Sequence, residues 1–283
     1  MKHVTVLKDE LVDGLNIQSG DFVIDGTLGG GGHTKEIVEK FGSGVKIIAI
    51  DLDSDAIKRT KDILAGLDSD IIYRTANFKD IDSILDGLNI PRVDRILLDL
   101  GLSSFQLEES GRGFTFQKDE PLLMNMNKEG DLTAEEIVNN WEEKNLADII
   151  YGLGEERYSR RIARAIVKNR PIKTTFELVE VIKAVVPRKK IHPATKTFQA
   201  LRIATNSELS NLEKVIERGY KRLVEGGRMG IISFHSLEDR IVKRAFKDLG
   251  GKILTKKPMT PSGLEIKNNS RSRSAKLRII EKI

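Results

Sequence analysis

Residues 22–33 read Phe-Val-Ile-Asp-Gly-Thr-Leu-Gly-Gly-Gly-Gly-His. The apolar run at the start predicts a short strand, and residues 33–41 have the pattern of the helix that follows it. Glycines at such a junction allow positive φ angles and let the backbone approach a ligand closely, while the start of the helix offers free N–H groups. The segment therefore predicts a binding site for a ligand with an anionic group. A tight turn without a ligand is the alternative.

The glycine spacing narrows the kind of ligand. Neither the dinucleotide pattern G-x-G-x-x-G nor the phosphate-loop pattern G-x-x-x-x-G-K-[S/T] occurs here, which disfavours a cofactor bound through a pyrophosphate. Asp51 ends the next apolar run, about twenty residues further on, where a carboxylate can accept hydrogen bonds from both ribose hydroxyls of a nucleoside. The alternative for Asp51 is a helix cap.

Apolar runs and helical patterns alternate on both sides of this segment. The predicted strands are residues 22–24, 45–50, 71–73, 95–98, 228–232, 252–254 and 277–280. The predicted helices include residues 33–41, 55–67, 80–88 and 208–223, and a turn is predicted at 225–227. Strands separated by helices in this way predict an α/β fold with right-handed βαβ units on a parallel sheet.

The alternation breaks after Leu102. Residues 103–130 are rich in Gly, Ser, Asn and charged residues, which predicts a loop, and three or four helical patterns follow between Thr133 and Asn206. We therefore predict a discontinuous main domain, residues 1–102 and 207–283. Residues 103–206 would form an inserted loop and helical subdomain.

Two further residues follow predicted strands. Phe78 comes after the third strand, where its ring could stack on an adenine, and a core position is the alternative. Asp99 ends the fourth strand, at the carboxyl edge where open α/β sheets bind their ligands. An acid that terminates an apolar run seldom serves packing, so Asp99 is a candidate site residue.

The composition sets broad limits on the function. With 283 residues, of which 39% are hydrophobic, the chain can bury one large core or a core with a smaller satellite. The absence of cysteine excludes disulfides, thiolate metal sites and cysteine nucleophiles. The four histidines, at positions 3, 33, 192 and 235, are scattered, so no metal site is expected.

The net charge of +5 is unevenly distributed. Residues 157–202 contain thirteen Lys and Arg against two acids, Glu177 and Glu180, and residues 252–278 contain eight against one, Glu265. Two dense basic stretches favour a polyanionic partner. A solvated surface is the alternative for either stretch alone.

Longer motifs resemble a known family. The glycine cluster, Asp51, Phe78 and Asp99 occur in the order found in class I methyltransferases. Within that class the chain resembles the bacterial RsmH (MraW) family from His3 to its end. The segments that carry this resemblance are DLGLSS with Gln106 (99–106), RGF (112–114), GEER (154–157), HPAT with FQA (192–200), SFHSLEDR (233–240) and RSRSAKLR (271–278).

The resemblance implies a class I, Rossmann-like methyltransferase with S-adenosylmethionine as methyl donor. It implies as acceptor the N4 amino group of a cytosine in the decoding region of 16S ribosomal RNA, in the small ribosomal subunit. By matching position, the residues that would contact the cofactor are Gly31, Gly32, His33, Asp51, Phe78, Asp99 and Gln106. For His33, a helix-start residue without a ligand is the alternative.

One loop departs from the family pattern. Where the family usually reads Pro-Leu-Asp-Met-Arg-Met-Asp, residues 121–127 read Pro-Leu-Leu-Met-Asn-Met-Asn. Because charges of both signs are replaced together at Leu123, Asn125 and Asn127, we expect that a local ion pair is missing as a unit. The effect of this change on activity stays open. Thr5 also stands where proline is common.

The implied reaction requires that the target base be splayed out of the RNA and held against an aromatic or apolar wall. Phe234 and His235 follow the fifth strand and are candidates for this wall, with a hydrogen-bonded core histidine as the alternative for His235. Asp99 is the candidate catalytic acceptor for the amino N–H groups, or else serves the cofactor. Ser233 and Ser236 stand outside any G-x-S-x-G elbow, which argues against a hydrolase.

Two groups of arginines are the predicted RNA contacts. A helix predicted over residues 158–169 presents one group on a single side, while Ile162 and Ile166 pack on the other. The second group lies in a basic loop whose serines add hydrogen bonds to phosphate oxygens. The predicted contacts are Arg157, Arg160, Arg161, Arg164, Arg271 and Arg273, with Lys168 beside the first group. A solvated helix face is the alternative.

Other functions and the cellular location follow from the same features. A methyltransferase that acts on another RNA, a protein or a small molecule would share the cofactor site, and a non-enzymatic ribosome-binding factor would tolerate loss of Asp99. The chain passes from Met1 directly into the helical pattern of Leu7, Leu11 and Leu15, and no window is apolar enough to span a membrane, so a cytoplasmic protein without a membrane partner is expected. A homodimer stays open.

Overall fold

The computed structural model describes residues 5–127, 130, 132–187 and 191–283; His3, where the family resemblance begins, lies outside these ranges. The strands are β1 Phe22–Asp25, β2 Lys46–Asp51, β3 Asp70–Thr75, β4 Val93–Asp99, β5 Leu223–Ser233, β6 Lys252–Ile253 and β7 Lys276–Glu281. The α-helices are α1 Lys8–Leu15, α2 Gly32–Phe41, α3 Ser54–Leu64, α4 Ile81–Gly87, α5 Ser104–Glu108, α6 Ala134–Asn140, α7 Glu143–Gly152, α8 Ser159–Lys168, α9 Thr175–Lys183, α10 Thr195–Asn206, α11 Glu208–Arg222, α12 Ser236–Asp248 and α13 Gly263–Asn268. Short 3-10 helices occupy Gly42–Gly44, Phe78–Asp80 and Ser270–Ser274.

The chain divides into two compact units. The first unit contains Met1–Ser103 and Leu209–Ile283, and the second contains Ser104–Glu208. All seven strands belong to the first unit.

The first unit is built on one sheet with the strand order β3-β2-β1-β4-β5-β7-β6. Strands β1 to β5 pair in parallel, and β7 is antiparallel to both of its neighbours, β5 and β6. The strand order reverses between β1 and β4, so a crevice is expected at their carboxyl ends. The α/β class with a mainly parallel sheet, as predicted from the sequence, is confirmed.

The apolar runs form strands because both faces of the sheet are covered. Successive strand residues alternate between two core clusters, with Ile47 in one cluster and Ile48 in the other. Helix α1 packs on the first face through Leu11 and its apolar neighbours. Helices α11 and α12 contribute Val215 and Phe246 to the second face.

Two features near β5 differ from the sequence predictions. The turn predicted at 225–227 lies within β5, where the pairing with β4 shifts register between Val93 and Arg95. Gly226 has a φ of +73° and donates its N–H to the Lys282 carbonyl at 2.9 Å. The pair Gly226 and Gly227 therefore forms an irregularity inside β5 and does not precede the strand. Helix α12, which was not predicted, begins three residues after the end of β5.

The second unit consists of helices α5 to α10 over its described residues. It has more helices than the three or four predicted, because one falls in the predicted loop and short segments such as α6 and α7 are separate. Its core includes Leu146, Ile162, Leu178 and Phe198. Among the described residues of the whole chain, no helix is both long and apolar enough to cross a membrane.

The central strands should dominate the stability of the first unit. Ile48 in β2 is fully buried, whereas Ile63 on α3 is 52% exposed. Ile48→Ala should lower the free energy of unfolding by about 2–5 kcal/mol, because it leaves a cavity in a closely packed core. Ile63→Ala removes the same atoms at the surface and should change it by about 0.5 kcal/mol or less. Urea unfolding followed by circular dichroism measures both, and equal effects would contradict the described packing.

Candidate active site

Three acidic residues end three neighbouring strands of the sheet. Asp25, Asp51 and Asp99 are the last residues of β1, β2 and β4, which lie side by side in the order β2-β1-β4. Because these strands are parallel, the three carboxylates meet at the carboxyl edge, where the strand order reverses. The described part of the first unit therefore has a cluster of acids where a ligand is expected.

The glycine loop connects this edge to α2. Gly29 and Gly31 have φ angles of +51° and +73°, which disfavour other residues. A Cβ atom on Gly31 would lie 2.5 Å from Cγ2 of Thr60, and one on Gly32 would lie 1.8 Å from Oγ1 of Thr5. Both glycines are therefore required by packing within the protein, whatever ligand the loop holds.

Asp51 is held by the loop backbone. Its carboxylate accepts hydrogen bonds from the N–H of Gly29 at 2.7 Å and from the N–H of Asp53 at 2.8 Å. Burial raises the pKa of Asp51 to about 6, although these two hydrogen bonds act in the opposite direction. The cap of α3 is Asp53, whose side chain accepts from Asp55 N–H at 3.0 Å, so Asp51 does not serve as that cap.

Asp25 was quoted in the glycine segment but not singled out from the sequence. It is 1% exposed and accepts a 2.6 Å hydrogen bond from the Thr34 hydroxyl and a 3.1 Å bond from the Thr27 N–H. Burial raises the pKa of Asp25, and the bond from Thr34 opposes this shift. The available signal was an acid at the end of an apolar run followed by Thr and Gly.

His33 lies between the strand-end acids. Its ring is 5% exposed, and its Nε2 lies 3.4 Å from Oδ2 of Asp99. Neither ring nitrogen has a hydrogen-bond partner among the described residues. A buried polar group normally has such a partner, so His33 leaves hydrogen-bonding capacity for a ligand at this edge.

Asp99 is positioned by its own strand end. Its N–H donates to the Thr27 hydroxyl at 2.6 Å, and its Oδ1 accepts from the Gly101 N–H at 3.1 Å. A Cβ on Gly101 would lie 2.9 Å from the Phe234 ring, so the backbone after β4 approaches that ring closely. The structure thus brings Asp99 and Phe234 together at one edge.

Phe78 and His235 have structural contacts of their own. Phe78 begins a 3-10 helix capped by Asn77 and packs partly buried against the second core cluster. His235 is the N-cap of α12, where its Nδ1 accepts from the Glu238 N–H at 3.4 Å. The buried Glu238 carboxylate accepts from the N–H groups of Phe234 and His235 at 2.8 and 3.2 Å. The geometry of His235 matches the hydrogen-bonded alternative; its catalytic role stays a prediction.

The remaining predicted site residues are exposed arginines and Gln106. Arg157, Arg160, Arg161 and Arg164 are exposed on or beside α8 in the second unit. The guanidinium groups of Arg157 and Arg161 lie 4.8 and 5.6 Å from the centroid of the Tyr158 ring. Gln106 lies on α5, also in the second unit, and its carbonyl accepts from the Ser110 hydroxyl at 2.6 Å. Arg271 and Arg273 are exposed in the 3-10 helix that precedes β7.

Several cations of the two basic stretches form ion pairs with acids of the protein itself. Asp239 on α12 accepts from Lys276 at 2.9 Å and from Arg278 at 2.7 Å. Arg202 forms a bidentate pair with Glu208 at 2.9 and 2.8 Å. The excess of Lys and Arg in these stretches therefore overstates the charge available to a partner.

The loop that departs from the family pattern is held by backbone groups. Arg112 donates to the carbonyls of Asn125 and Met126, both at 3.0 Å. The Asn125 amide donates to the Asn127 carbonyl at 2.7 Å. These contacts do not depend on the charged residues usual in the family, so the loop keeps a defined conformation without them.

The residues at the carboxyl edge of the sheet fit a nucleoside cofactor that carries both positive and negative groups. Asp51 offers an acceptor where ribose hydroxyls are expected, the first N–H groups of α2 are suited to bind an anionic group, and the His33 nitrogens have spare hydrogen-bonding capacity. The partly exposed Asp99 carboxylate favours a positive centre beside it. These are the properties of S-adenosylmethionine, with its sulfonium, ammonium and carboxylate groups.

Comparison with known proteins identifies the family. The model of the MraW methylase family matches residues 1–283. Ribosomal RNA small subunit methyltransferase H of Clostridium botulinum (strain Kyoto / Type A2) is 49% identical over an alignment of 307 positions, gaps included, which covers 100% of this chain and 99% of the relative. The protein of the same name from strain 657 / Type Ba4 is 48% identical with the same coverage.

Solved structures are more distant in sequence. A methyltransferase homolog protein from Pyrococcus horikoshii has a TM-score of 0.49 and 14% identity, over 99% of this chain and 67% of that chain. The full-length matches in sequence show that the chain belongs to the MraW methylase family.

Proposed function

We propose that this chain transfers a methyl group from S-adenosylmethionine to the N4 amino group of a cytosine in the decoding region of 16S ribosomal RNA. The observation that carries the proposal is the full-length match to relatives named as small-subunit ribosomal RNA methyltransferases. The acidic edge of the sheet supports the same reading, because a positively charged donor would offset part of the cost of burying its carboxylates.

The cofactor contacts follow from the positions of the strand ends. Asp51 would accept hydrogen bonds from the ribose hydroxyls, and Gly31, Gly32 and His33 would face the amino-acid end at the start of α2. Phe78 would contribute its ring to the adenine, and Gln106 is a further proposed contact. When bound, the cofactor supplies a methyl group on a positively charged sulfur, which is already an activated electrophile.

Asp99 is the proposed catalytic residue. The lone pair of a cytosine amino group is delocalised into the ring, so the nitrogen is a poor nucleophile until its N–H groups are bound by acceptors. The Asp99 carboxylate stands at the carboxyl edge with Oδ1 oriented by Gly101 N–H, and it would accept from that amino group. Phe234, close to Gly101, would form part of the wall that holds the base.

The second unit is the proposed substrate-recognition subdomain. Arg157, Arg160, Arg161 and Arg164 are exposed there, and Arg271 and Arg273 are exposed in the first unit. Arginines suit phosphate oxygens because their donors form a planar fork. If the substrate is ribosomal RNA, the enzyme acts in the cytoplasm and its partner is the small ribosomal subunit. A methyltransferase for a protein or a small molecule would have no use for these arginines.

The proposal predicts a specific product. The purified protein, incubated with labelled S-adenosylmethionine and small ribosomal subunits from a strain that lacks this enzyme, should incorporate label into 16S RNA as N4-methylcytosine. Subunits from a strain that has the enzyme should accept little label, since the site is already methylated. Mass spectrometry of digested RNA gives the nucleoside; label elsewhere, or none, refutes the assignment.

Asp99→Asn should separate the catalytic role from cofactor binding. We expect kcat to fall by about 100-fold or more, because the amide loses one acceptor oxygen at the amino group, while cofactor affinity changes far less. The control is Asp94→Asn at the opposite end of β4, where the amide oxygen can still accept the 2.8 Å bond from Phe22 N–H. A fall in cofactor affinity that matches the fall in kcat would assign Asp99 to the cofactor alone.

Cofactor affinity should depend on the ionisation of Asp51. The pKa of about 6 means that Asp51 is ionised at pH 8 and gains a proton as the pH falls below 6. The protonated form loses an acceptor for the ribose hydroxyls, so affinity should fall by up to about tenfold per pH unit below that pKa.

Calorimetric titrations between about pH 5 and pH 8 test this dependence. Asp51→Asn should bind the cofactor weakly and with a flat pH profile, whereas Asp62→Asn, an exposed change on α3, should keep the wild-type profile. A wild-type affinity that does not vary with pH would count against the ribose contact.

A further inference from the structure

Helix α12 carries a row of cations on its solvent side. The spacing i, i+3, i+4, i+7 places four side chains within an arc of about 100° around the helix axis. Val242 and Phe246 are buried on the opposite side. The four exposed cations, called here the α12 stripe, are Arg240, Lys243, Arg244 and Lys247.

Three of the four cations of the stripe have no acidic partner among the described residues. Lys243, Arg244 and Lys247 form no ion pair or hydrogen bond with any residue that the structure describes. Some exposed lysines on other helices pair with an acid one turn away, as Lys35 does with Glu39 and Lys221 with Glu217. Like charges at i, i+3 and i, i+4 destabilise a helix, so helix stability does not explain the stripe.

The orientation of the stripe is fixed by the helix's own contacts. Asp239 binds Lys276 and Arg278 of β7, which prevents rotation of the helix about its axis. The helix begins at Ser236, three residues after Ser233 ends β5, and Ile232 of β5 pairs with Asp99 of β4. The stripe therefore starts beside the carboxyl edge of the sheet and extends from it along α12.

We propose that the α12 stripe binds consecutive phosphates of the RNA strand that carries the target base. This inference rests on the proposed function, which supplies a polyanionic substrate at the carboxyl edge. A row of cations spaced by about 5 Å per helical turn suits a repeating anion such as a phosphodiester backbone, whereas a single small anion would need convergent groups. Arg271 and Arg273 are exposed in the 3-10 helix that precedes β7, and the first residue of β7, Lys276, pairs with Ser233 at the same edge of the sheet.

The test compares two triple variants of the full-length protein. The first is Lys243→Gln with Arg244→Gln and Lys247→Gln. The control removes three exposed lysines at the amino edge of the sheet, through Lys46→Gln with Lys221→Gln and Lys252→Gln. Both variants lose the same charge. A third variant, Lys243→Arg with Lys247→Arg, keeps the charge of the stripe.

Binding is measured by fluorescence anisotropy with a labelled RNA copy of the decoding region over a range of salt concentrations. The stripe variant should bind about tenfold or more weakly than wild type, with the slope of log K against log salt reduced by about 2, as expected for three lost contacts to a single strand. The amino-edge variant and the charge-retaining variant should stay near wild type. The affinity for S-adenosylmethionine should be the same in all four proteins, and the Tm of the stripe variant should be equal or higher.

Three outcomes would overturn the inference. Equal losses in the two neutralised variants would show a general effect of net charge. An unchanged RNA affinity in the stripe variant, together with a loss of binding to vesicles of anionic lipid, would assign the stripe to a membrane surface. If the stripe variant also lost affinity for S-adenosylmethionine, its weaker RNA binding would be explained by misfolding and not by the stripe. If the wild-type protein methylates no small subunit but the stripe variant still loses RNA affinity, the proposed function is contradicted and the inference about the stripe is supported.

Discussion

The site is governed by the burial of carboxylates at one edge of the sheet. Asp25 and Asp51 both have raised pKa values, chiefly because of burial, and the nearby acids add to the shift of each. Parallel strands cannot avoid this arrangement once each ends in an acid, because their carboxyl ends meet at the same edge. The protein offsets part of the cost with backbone N–H groups, the Thr34 hydroxyl and the positive end of α2. A cationic ligand would offset more, which gives a physical reason why a sulfonium donor suits this edge.

The sequence was sufficient for the centres of the strands and for two of the three terminal acids, Asp51 and Asp99. Apolar runs such as residues 45–50 can only be buried by a sheet covered on both faces, so their pattern is strong. The sequence was insufficient for α12, because a histidine forms its N-cap and charged residues occupy most of its length. It also misassigned 225–227, because a glycine pair inside a strand has the same composition as a turn.

Site residues were harder to assign than strands, because a role depends on partners that are distant in the sequence. Asp239 and Arg278 are 39 residues apart, and their pairing removes a cation from a stretch that looks uniformly basic. His33 and Asp99 approach to 3.4 Å only because β1 and β4 are neighbours in the sheet. Asp53 caps α3, so an acid two residues from Asp51 takes the structural role and leaves Asp51 at the edge. Local spacing could not distinguish these two acids.

A long motif need not mean that each of its residues contacts a ligand. In the segment 233–240, Glu238 binds the backbone N–H groups of Phe234 and His235, and this closes the turn from β5 into α12. Asp239 then holds β7 through Lys276 and Arg278. These contacts are structural, and their effect is to fix the Phe234 ring near Gly101 and to turn Arg240 and the cations after it toward solvent. The contacts within this segment therefore determine which of its residues are exposed, and under the proposed function the exposed ones are available to a substrate.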